Sequence, residues 1–456
     1  MNAYKADNTS EKARELCEKL YLAAKKSRNR RFHQLYDKVY RVDILRDAWE
    51  TVKRNKGSAG ADGVSIHEIV AQDEDKYLET LRELLKDTHK YHPQRIRRVY
   101  IPKASGGQRP LGIPAVRDRI VQAATKTLLE PIFEADFLDC SFGFRPGRSA
   151  HDALREIWVY TNRDYRYVLD ADIKGYFDSI NHDRLFEFLR LRISDRKVLK
   201  MVRKWLECGA VGELEKSEMG TPQGGVISPL LANIYLHEFD KFWTGQHAMH
   251  GRLVRYADDF VILFKTKGDA ERGLELVRSK LAELGLELNE AKTSIVSMNG
   301  GHEGFDFLGF HHRRMKHDKN DRFHAYSWPK KAAVNAFRKK VREISAPRST
   351  LMQPMEEIIR KLNPVIIGWR NYFRYGNSAA VFASLDTYVH ERMALWHSKK
   401  HQKSGRGWST RHTWERHKQS GIALLSGSVL YLSKSNAQGG RSSESRVREN
   451  LTHGLM

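Results

Sequence analysis

From Lys331 onward apolar residues recur at steps of three and four. Val334, Phe337, Val341 and Ile344 fall on one face while Arg338, Lys339, Lys340 and Arg342 fill the others, which predicts a basic amphipathic helix over 331–344. The run "NPVIIGWRNYFRYG" predicts a second helix, with Asn363 as N-cap, Pro364 in the first helical position and Gly376 as its stop. A third runs from about Ser378 through Leu385, Val389 and Trp396. Short links between them predict a small bundle. Beyond His401 the chain is rich in Ser, Gly, Arg and Lys, a composition that predicts partial disorder.

The first 310 residues carry a mixed pattern. Helical periodicity lies near 11–26, 43–54 and 76–89, and "NKGSAGADGVS" (55–65) is a glycine-rich turn. "RRVYIPK" and "GQRPLGIP" flank Ala104–Gly107 and predict a hairpin. "YRYVLDADI" and "RLVRYADDFVILF" are β-rich as well, and no repeat of fixed period is present. The fold class expected is α+β.

Composition adds a partner. With 456 residues the chain exceeds the size at which one core stops growing, so two or three packed subdomains are expected. Charged residues make up 30% and the formal charge is +23, which points to a polyanion, nucleic acid first. The charge is uneven: about +5 on residues 1–310 and about +18 on 311–456. That last third also holds Trp328, Trp369, Trp396, Trp408 and Trp414, whose rings could stack on bases. Trp369 and Trp396 fall on apolar stripes and read better as core. No run of eighteen apolar residues exists and the first residues are charged, so neither a membrane span nor a secretory leader is expected, and the location expected is cytoplasmic. Cys17, Cys140 and Cys208 are far apart, which argues against a disulfide framework or a cysteine zinc module.

Two acidic clusters end apolar β runs. "YVLDADIKGYFDSINHD" contains Asp170, Asp172, Asp178 and Asp183, and "RYADDFVILF" places Asp258 and Asp259 86 residues beyond Asp172, at the expected tip of a tight hairpin. An isolated Asp-Asp pair is usually a solvated turn. Two strand-end sites with no Cys or His beside them instead suit a hard cation such as Mg²⁺, and a pair of such ions serves nucleotidyl transfer. Between the clusters Gly220–Gly225 forms a glycine loop that lets backbone approach a substrate, followed by a helix over Ser228–Asp240.

The ordered blocks "IPKASGGQRPLGIP", "SFGFRPGRSAHDAL", "LDADIKGYFDSINHD", "GTPQGGVISPLLANIYL", "RYADDFVIL", "LGLELNEAKTSIV" and "FDFLGF" resemble those of a group II intron-encoded reverse transcriptase over about residues 60 to 310. "GWRNYFRYGNS" resembles the thumb, or domain X, by which maturases of that family bind intron RNA. The resemblance implies a right-hand polymerase. Residues 1–95 would be an N-terminal extension and the start of the fingers, touching template RNA. Residues 96–310 would be fingers and palm, 311–400 a helical thumb, and 401–456 a basic tail binding DNA or RNA.

It further implies that Asp172, Asp258 and Asp259, with the adjoining Ile173, hold two Mg²⁺ ions, leaving Asp170 a structural role. Lys103 and Arg109 would grip the incoming deoxynucleoside triphosphate, and Gln223 and Lys292 would lie near it. Phe177 would stand against the sugar C2′, with a core aromatic as the alternative. Arg338, Lys339, Lys340, Arg342, Arg370 and Arg374 would meet intron RNA. The implied activity is RNA-directed DNA synthesis together with promotion of splicing, and intron mobility by target-primed reverse transcription on a DNA target and primer. A role in host defence or repair, or a maturase with a dead polymerase, are the alternatives; intact aspartates disfavour the last. No cysteine follows Cys208, so the family's cysteine-stabilised HNH nuclease is not expected. His311, His312, His317 and His324 sit among cations that disfavour a metal.

Overall fold

The structure, a computed structural model, describes residues 3–102, 107–211, 219–248, 250–317, 322–402 and 413–431. The chain opens with α1 (Ala3–Lys26), α2 (Tyr36–Val39), α3 (Val42–Arg54), α4 (Ile66–Ala71) and α5 (Glu74–Lys86). α4 starts where the sequence supplies a capping box: Ser65 accepts from the Glu68 amide and the Glu68 carboxylate from the Ser65 amide. The hairpin follows as β1 (Arg97–Pro102) and β2 (Gln108–Ile113), antiparallel with Tyr100 opposite Pro110. Residues 103–106 of its turn, Lys103 among them, lie outside the described residues.

Next come α6 (Val116–Glu134), α7 (Ala150–Asn162), β3 (Tyr167–Asp172), α8 (Tyr176–Ser179), α9 (His182–Arg190), α10 (Arg196–Glu207) and α11 (Ser228–Gln246). After them β4 (Gly251–Tyr256), β5 (Asp259–Phe264), α12 (Lys267–Glu283) and β6 (Ser294–Ser297) complete an antiparallel sheet ordered β4-β5-β3-β6. Phe260 to Phe264 are all buried, as expected of a continuous apolar run in a strand covered on both faces. One apolar core runs from Ala13 to Leu288, so the helices before residue 95 share it with the sheet and α6, α9 and α11. Polar contacts fasten the same junction. The Phe32 amide donates to the Arg192 carbonyl (2.7 Å), and the Asp195 carboxylate both caps α10 and accepts from the Leu35 (2.9 Å) and Tyr36 (2.8 Å) amides.

A second sheet contains β7 (Gly304–Phe307), β8 (Phe310–Lys316) and β9 (Phe323–Pro329), in that order. The expectation that residues after 310 belong to a helical unit is corrected here: helix begins only at Lys331. The alternation was hidden because the inward positions of β8 include His312 and Arg314, both buried, which read as polar in the sequence. Then come α13 (Lys331–Ser345), a 3-10 turn (Arg348–Met352), α14 (Met355–Phe373), α15 (Ala379–Lys400) and α16 (Trp414–Gln419).

The expected start of the second helix is also corrected. Pro364 lies inside α14, whose first turn holds Glu356 and Glu357 and whose buried stripe of Ile358, Leu362 and Ile366 continues past the proline. Asn363 is no cap: its side-chain amide donates to the Gly421 carbonyl (2.9 Å), and its side-chain oxygen accepts from the Ala423 amide (2.8 Å). α13, α14 and α15 pack through Phe337, Val341, Leu362, Phe382, Leu385 and Trp396. Trp396 is buried with its indole N–H on Thr350 (3.1 Å), and the Trp369 ring lies tilted against those of Phe337, Phe373 and Phe382. Trp408 and the chain beyond 431 lie outside the described residues. Among the described residues no helix is long and apolar enough to cross a membrane.

Candidate active site

β3 ends on Asp172, which stands directly across from Asp259, the first residue of β5. On its other side Asp259 pairs with Tyr256, the last residue of β4, so Ala257 and Asp258 alone form the turn. The expectation that both acids occupy the tip is therefore corrected by one residue: Asp258 is in the turn and Asp259 in the ladder. Ala257 adopts a φ of 59°, the left-handed conformation such a two-residue turn requires.

An arginine holds this tip from beneath. Arg255 is fully buried, and its guanidinium donates to the Ala257 carbonyl (2.8 Å), Asn233 Oδ1 (3.1 Å), Ser141 Oγ (2.8 Å) and the equally buried carboxylate of Asp240 (2.7 Å from Nε). α11 supplies Asn233 and Asp240, so the helix after the glycine loop is tied to the position of Asp258.

The acids repel one another. Burial, and then the Asp172 charge, raises the Asp258 acid above the usual range against the pull of Arg109 and Arg255. Asp259 is open to solvent on one side, yet burial on its others and the charges of Asp258 and Asp172 push it up to about 6. Asp170 lies on the same face of β3 as Asp172; burial, followed by Asp259, Asp306 and Asp172, pushes it up to about 7. Asp178 is exposed on α8, and Asp183 pairs with Arg203 (3.0 Å), so neither joins this group.

Lys292 answers part of the negative charge. Its Nζ donates to Asp172 Oδ2 (2.8 Å), and that hydrogen bond raises the ammonium's pKa. Asn289 Nδ2 donates to the same oxygen (3.0 Å), while its backbone amide donates to the Asp172 carbonyl (2.8 Å). Ile173, next to Asp172, is buried and bridges Leu288. In this conformation no three acidic, histidine or cysteine side chains converge to enclose an ion among the described residues. The donor set is nonetheless all oxygen, crowded and short of cations, which suits a hard divalent ion.

Beside the acids, Arg109 and Gln223, 114 residues apart, meet through Nε and Oε1 at 2.5 Å. The glycine loop makes this possible. Gly224 has a φ of 113°, and a Cβ there would lie 2.4 Å from the Gly112 carbonyl oxygen, while the Gly112 amide donates to the Gln223 carbonyl (2.6 Å). Phe177 is only 8% exposed and belongs to the main core, and its carbonyl accepts from the Thr221 amide (2.7 Å).

The basic candidates separate. Lys339, Lys340 and Arg342 are exposed on α13, with Lys340 near Glu343 (3.6 Å). Arg338 is half-buried, 5.5 Å over the Tyr388 ring, and reaches Ser384 Oγ (3.3 Å). Arg370 donates to the Leu424 carbonyl (2.9 Å), and Arg374 lies 5.4 Å over the Tyr375 ring. Sequence reasoning missed Arg255, Asp240 and Asn289 as parts of the site. For Asn289 the signal was its place three residues before Lys292, where a turn joins them (2.9 Å).

Residues 101–312 match the family described as reverse transcriptase (RNA-dependent DNA polymerase), which is the class this sheet of facing acids defines. Residues 334–414 match the group II intron maturase-specific domain. Protein YkfC of Escherichia coli is 37% identical over 326 residues, 63% of this chain and 84% of YkfC. Group II intron-encoded protein LtrA of Lactococcus lactis is 41% identical over 217 residues, 46% of this chain and 35% of LtrA. A putative COX1/OXI3 intron 2 protein of Saccharomyces cerevisiae is 28% identical over 330 residues, 59% of this chain and 38% of that protein. The chain thus spans most of one of these relatives and little more than a third of the other two. It belongs to the group II intron reverse transcriptase and maturase family.

Proposed function

We propose that this chain copies RNA into DNA at the Asp172–Asp258–Asp259 site, binds the RNA of its host group II intron to promote splicing, and primes synthesis on a DNA target. The observation that carries the reading is the β3–β5 register, which sets Asp172 across from Asp259 with Asp258 beside it. In a right-hand polymerase β1 and β2 belong to the fingers, the sheet β4-β5-β3-β6 to the palm, and α13–α15 to the thumb. The expected divisions at residues 95 and 400 are kept as functional regions, the first although the segments on either side share a core, and the thumb helices begin at Lys331 rather than at 311.

Two Mg²⁺ ions held by Asp172, Asp258, Asp259 and the Ile173 carbonyl would supply positive charge to the attacking 3′ hydroxyl and the leaving pyrophosphate. The chain's own residues do the rest. Arg255 keeps Asp258 at a fixed height above α11. Lys292 retains its proton and neutralises Asp172 while the site is empty of nucleotide, and is then within reach of the triphosphate. Arg109, carried on β2, presents a planar fork to the triphosphate of the deoxynucleotide and Gln223 orients that fork, with Lys103, outside the described residues, as the second proposed contact. The edge of Phe177 bounds the sugar. Lys339, Lys340 and Arg342 meet RNA phosphates; Arg338, Arg370 and Arg374 shape the surface that carries them.

Asp258→Asn tests the reading. Primer extension on an RNA template should fall by several powers of ten with RNA affinity nearly unchanged. Extension at the wild-type rate would refute the role of the acids.

A further inference from the structure

The loop between α6 and α7 is fixed at two points. On one side the Phe142 amide donates to the Arg255 carbonyl (2.9 Å), and Asn233 Nδ2 donates to the Gly143 carbonyl (2.8 Å). A Cβ on Gly143 would lie 2.4 Å from the Ala257 nitrogen, so this backbone rests directly on the hairpin tip. On the other side Arg145 is buried, donating to the Glu134 carboxylate (2.6 Å) and the Ser141 carbonyl (2.7 Å).

Between these anchors Phe144 has a φ of 57°, a conformation costly to a residue with a side chain, and half of its surface (50%) is open to solvent. Burial gives no reason for an aromatic ring there, and the backbone alone would favour glycine. The ring lies 6.5 Å from that of Tyr256, the residue opposite Asp259. It also walls an open cavity of about 780 Å³ shared with Lys126, Glu130, Arg148, Asp152 and Pro229, so one side of it has room for a ligand.

Resting on the polymerase reading above, we propose that Phe144 positions substrate: with Tyr256 it forms an aromatic ledge that seats the primer–template duplex immediately behind the primer's 3′ end. Rings of this kind pack against the sugars of a duplex whatever its sequence, as a copying enzyme needs. The strain has a use in this reading. Because Gly143 lies on Ala257 and Arg145 is locked to Glu134, the ledge cannot drift relative to Asp258, and a duplex resting on it keeps its 3′ hydroxyl in register with the acids.

The test uses the full chain and a labelled DNA primer annealed to an RNA template. Phe144→Gly relieves the backbone, so it should melt no lower than wild type, yet bind the duplex about tenfold more weakly, the scale of one lost aromatic contact. The duplex concentration giving half-maximal extension should rise by more than the maximal rate falls, and Phe144→Trp should restore both. Affinity for single-stranded RNA should not change. The ledge is overturned if Phe144→Gly binds the duplex as tightly as wild type, if its affinity falls only as its melting temperature falls, or if Phe144→Trp fails as glycine does. In each of these cases extension by the wild type keeps the polymerase reading intact; a wild type that extends no primer overturns both.

Discussion

Lys292 and Asp172, 120 residues apart, share a 2.8 Å hydrogen bond at the end of β3. The ammonium is largely exposed, so the contact is poised to exchange rather than to bind the fold together. Removing it should act on chemistry more than on stability. Lys292→Met is expected to slow single-turnover extension by about tenfold, the scale of one charge-assisted hydrogen bond, with a melting temperature close to wild type. A melting temperature that drops with the rate would instead make Lys292 structural.

Asp259 gives a pH signature in metal-free protein. Its folded pKa of about 6 lies above the unfolded value near 4, so the folded chain holds the proton more tightly. Its contribution to stability is therefore greatest below about pH 4, falls as pH rises through 6, and is lowest above. Asp259→Asn should match wild type in thermal unfolding near pH 4 and exceed it increasingly up to about pH 6.5 in chelator. Adding Mg²⁺ at pH 7.5 should close the gap by stabilising the wild type. Curves that remain parallel across this range would show that Asp259 is not strained by its neighbours.

Phe177 needs a gentle substitution. Phe177→Ala would open a core cavity costing about 3–5 kcal/mol and confound any effect on the sugar. Phe177→Leu keeps most of the volume and should reduce discrimination against ribonucleotides by about tenfold. A competition assay with paired nucleotides reads the ratio directly; an unchanged ratio returns Phe177 to the core alone.

The buried pair beneath the tip should behave differently from the exposed one. Asp240→Asn leaves the Arg255 guanidinium charged in a closed interior, a change that costs about 3–5 kcal/mol. Chemical denaturation should show the loss, and extension should fall with it because the Ala257 carbonyl loses a firmly held donor. A variant as stable as wild type would mean that water reaches Arg255.

For RNA the exposed charges separate from the anchored ones. Replacing Lys339, Lys340 and Arg342 with glutamine should flatten the dependence of log affinity on log salt by about 2 to 3, since each phosphate contact contributes roughly 0.7 to 0.9. Cognate and random RNA should weaken alike. An unchanged slope would place the RNA surface elsewhere.

Much of this arrangement was legible in the sequence because acids ending apolar runs, glycine loops and three-four periodicity are local signals. Asp172, Asp258 and the stripe of Phe337 and Val341 are of that kind. What escaped depends on partners far along the chain. Arg255 reads as a surface charge until Asp240, Asn233 and Ser141 close around it. β8 falls within the expected helical thumb because its inward positions include His312 and Arg314 and hide the alternation, and Pro364 reads as a helix start although the apolar stripe continues through it.

The fastening of the N-terminal helices to Arg192 and Asp195 has a consequence for synthesis on the ribosome. The partners of Phe32, Leu35 and Tyr36 are made about 160 residues later. At roughly 5 to 20 residues per second that interval lasts about 8 to 32 s. For that time the Phe32–Tyr36 segment lacks the partners that fix it, whereas α1 and α3 meet α6 much sooner, so this short link is the last part of the N-terminal region to be locked in place.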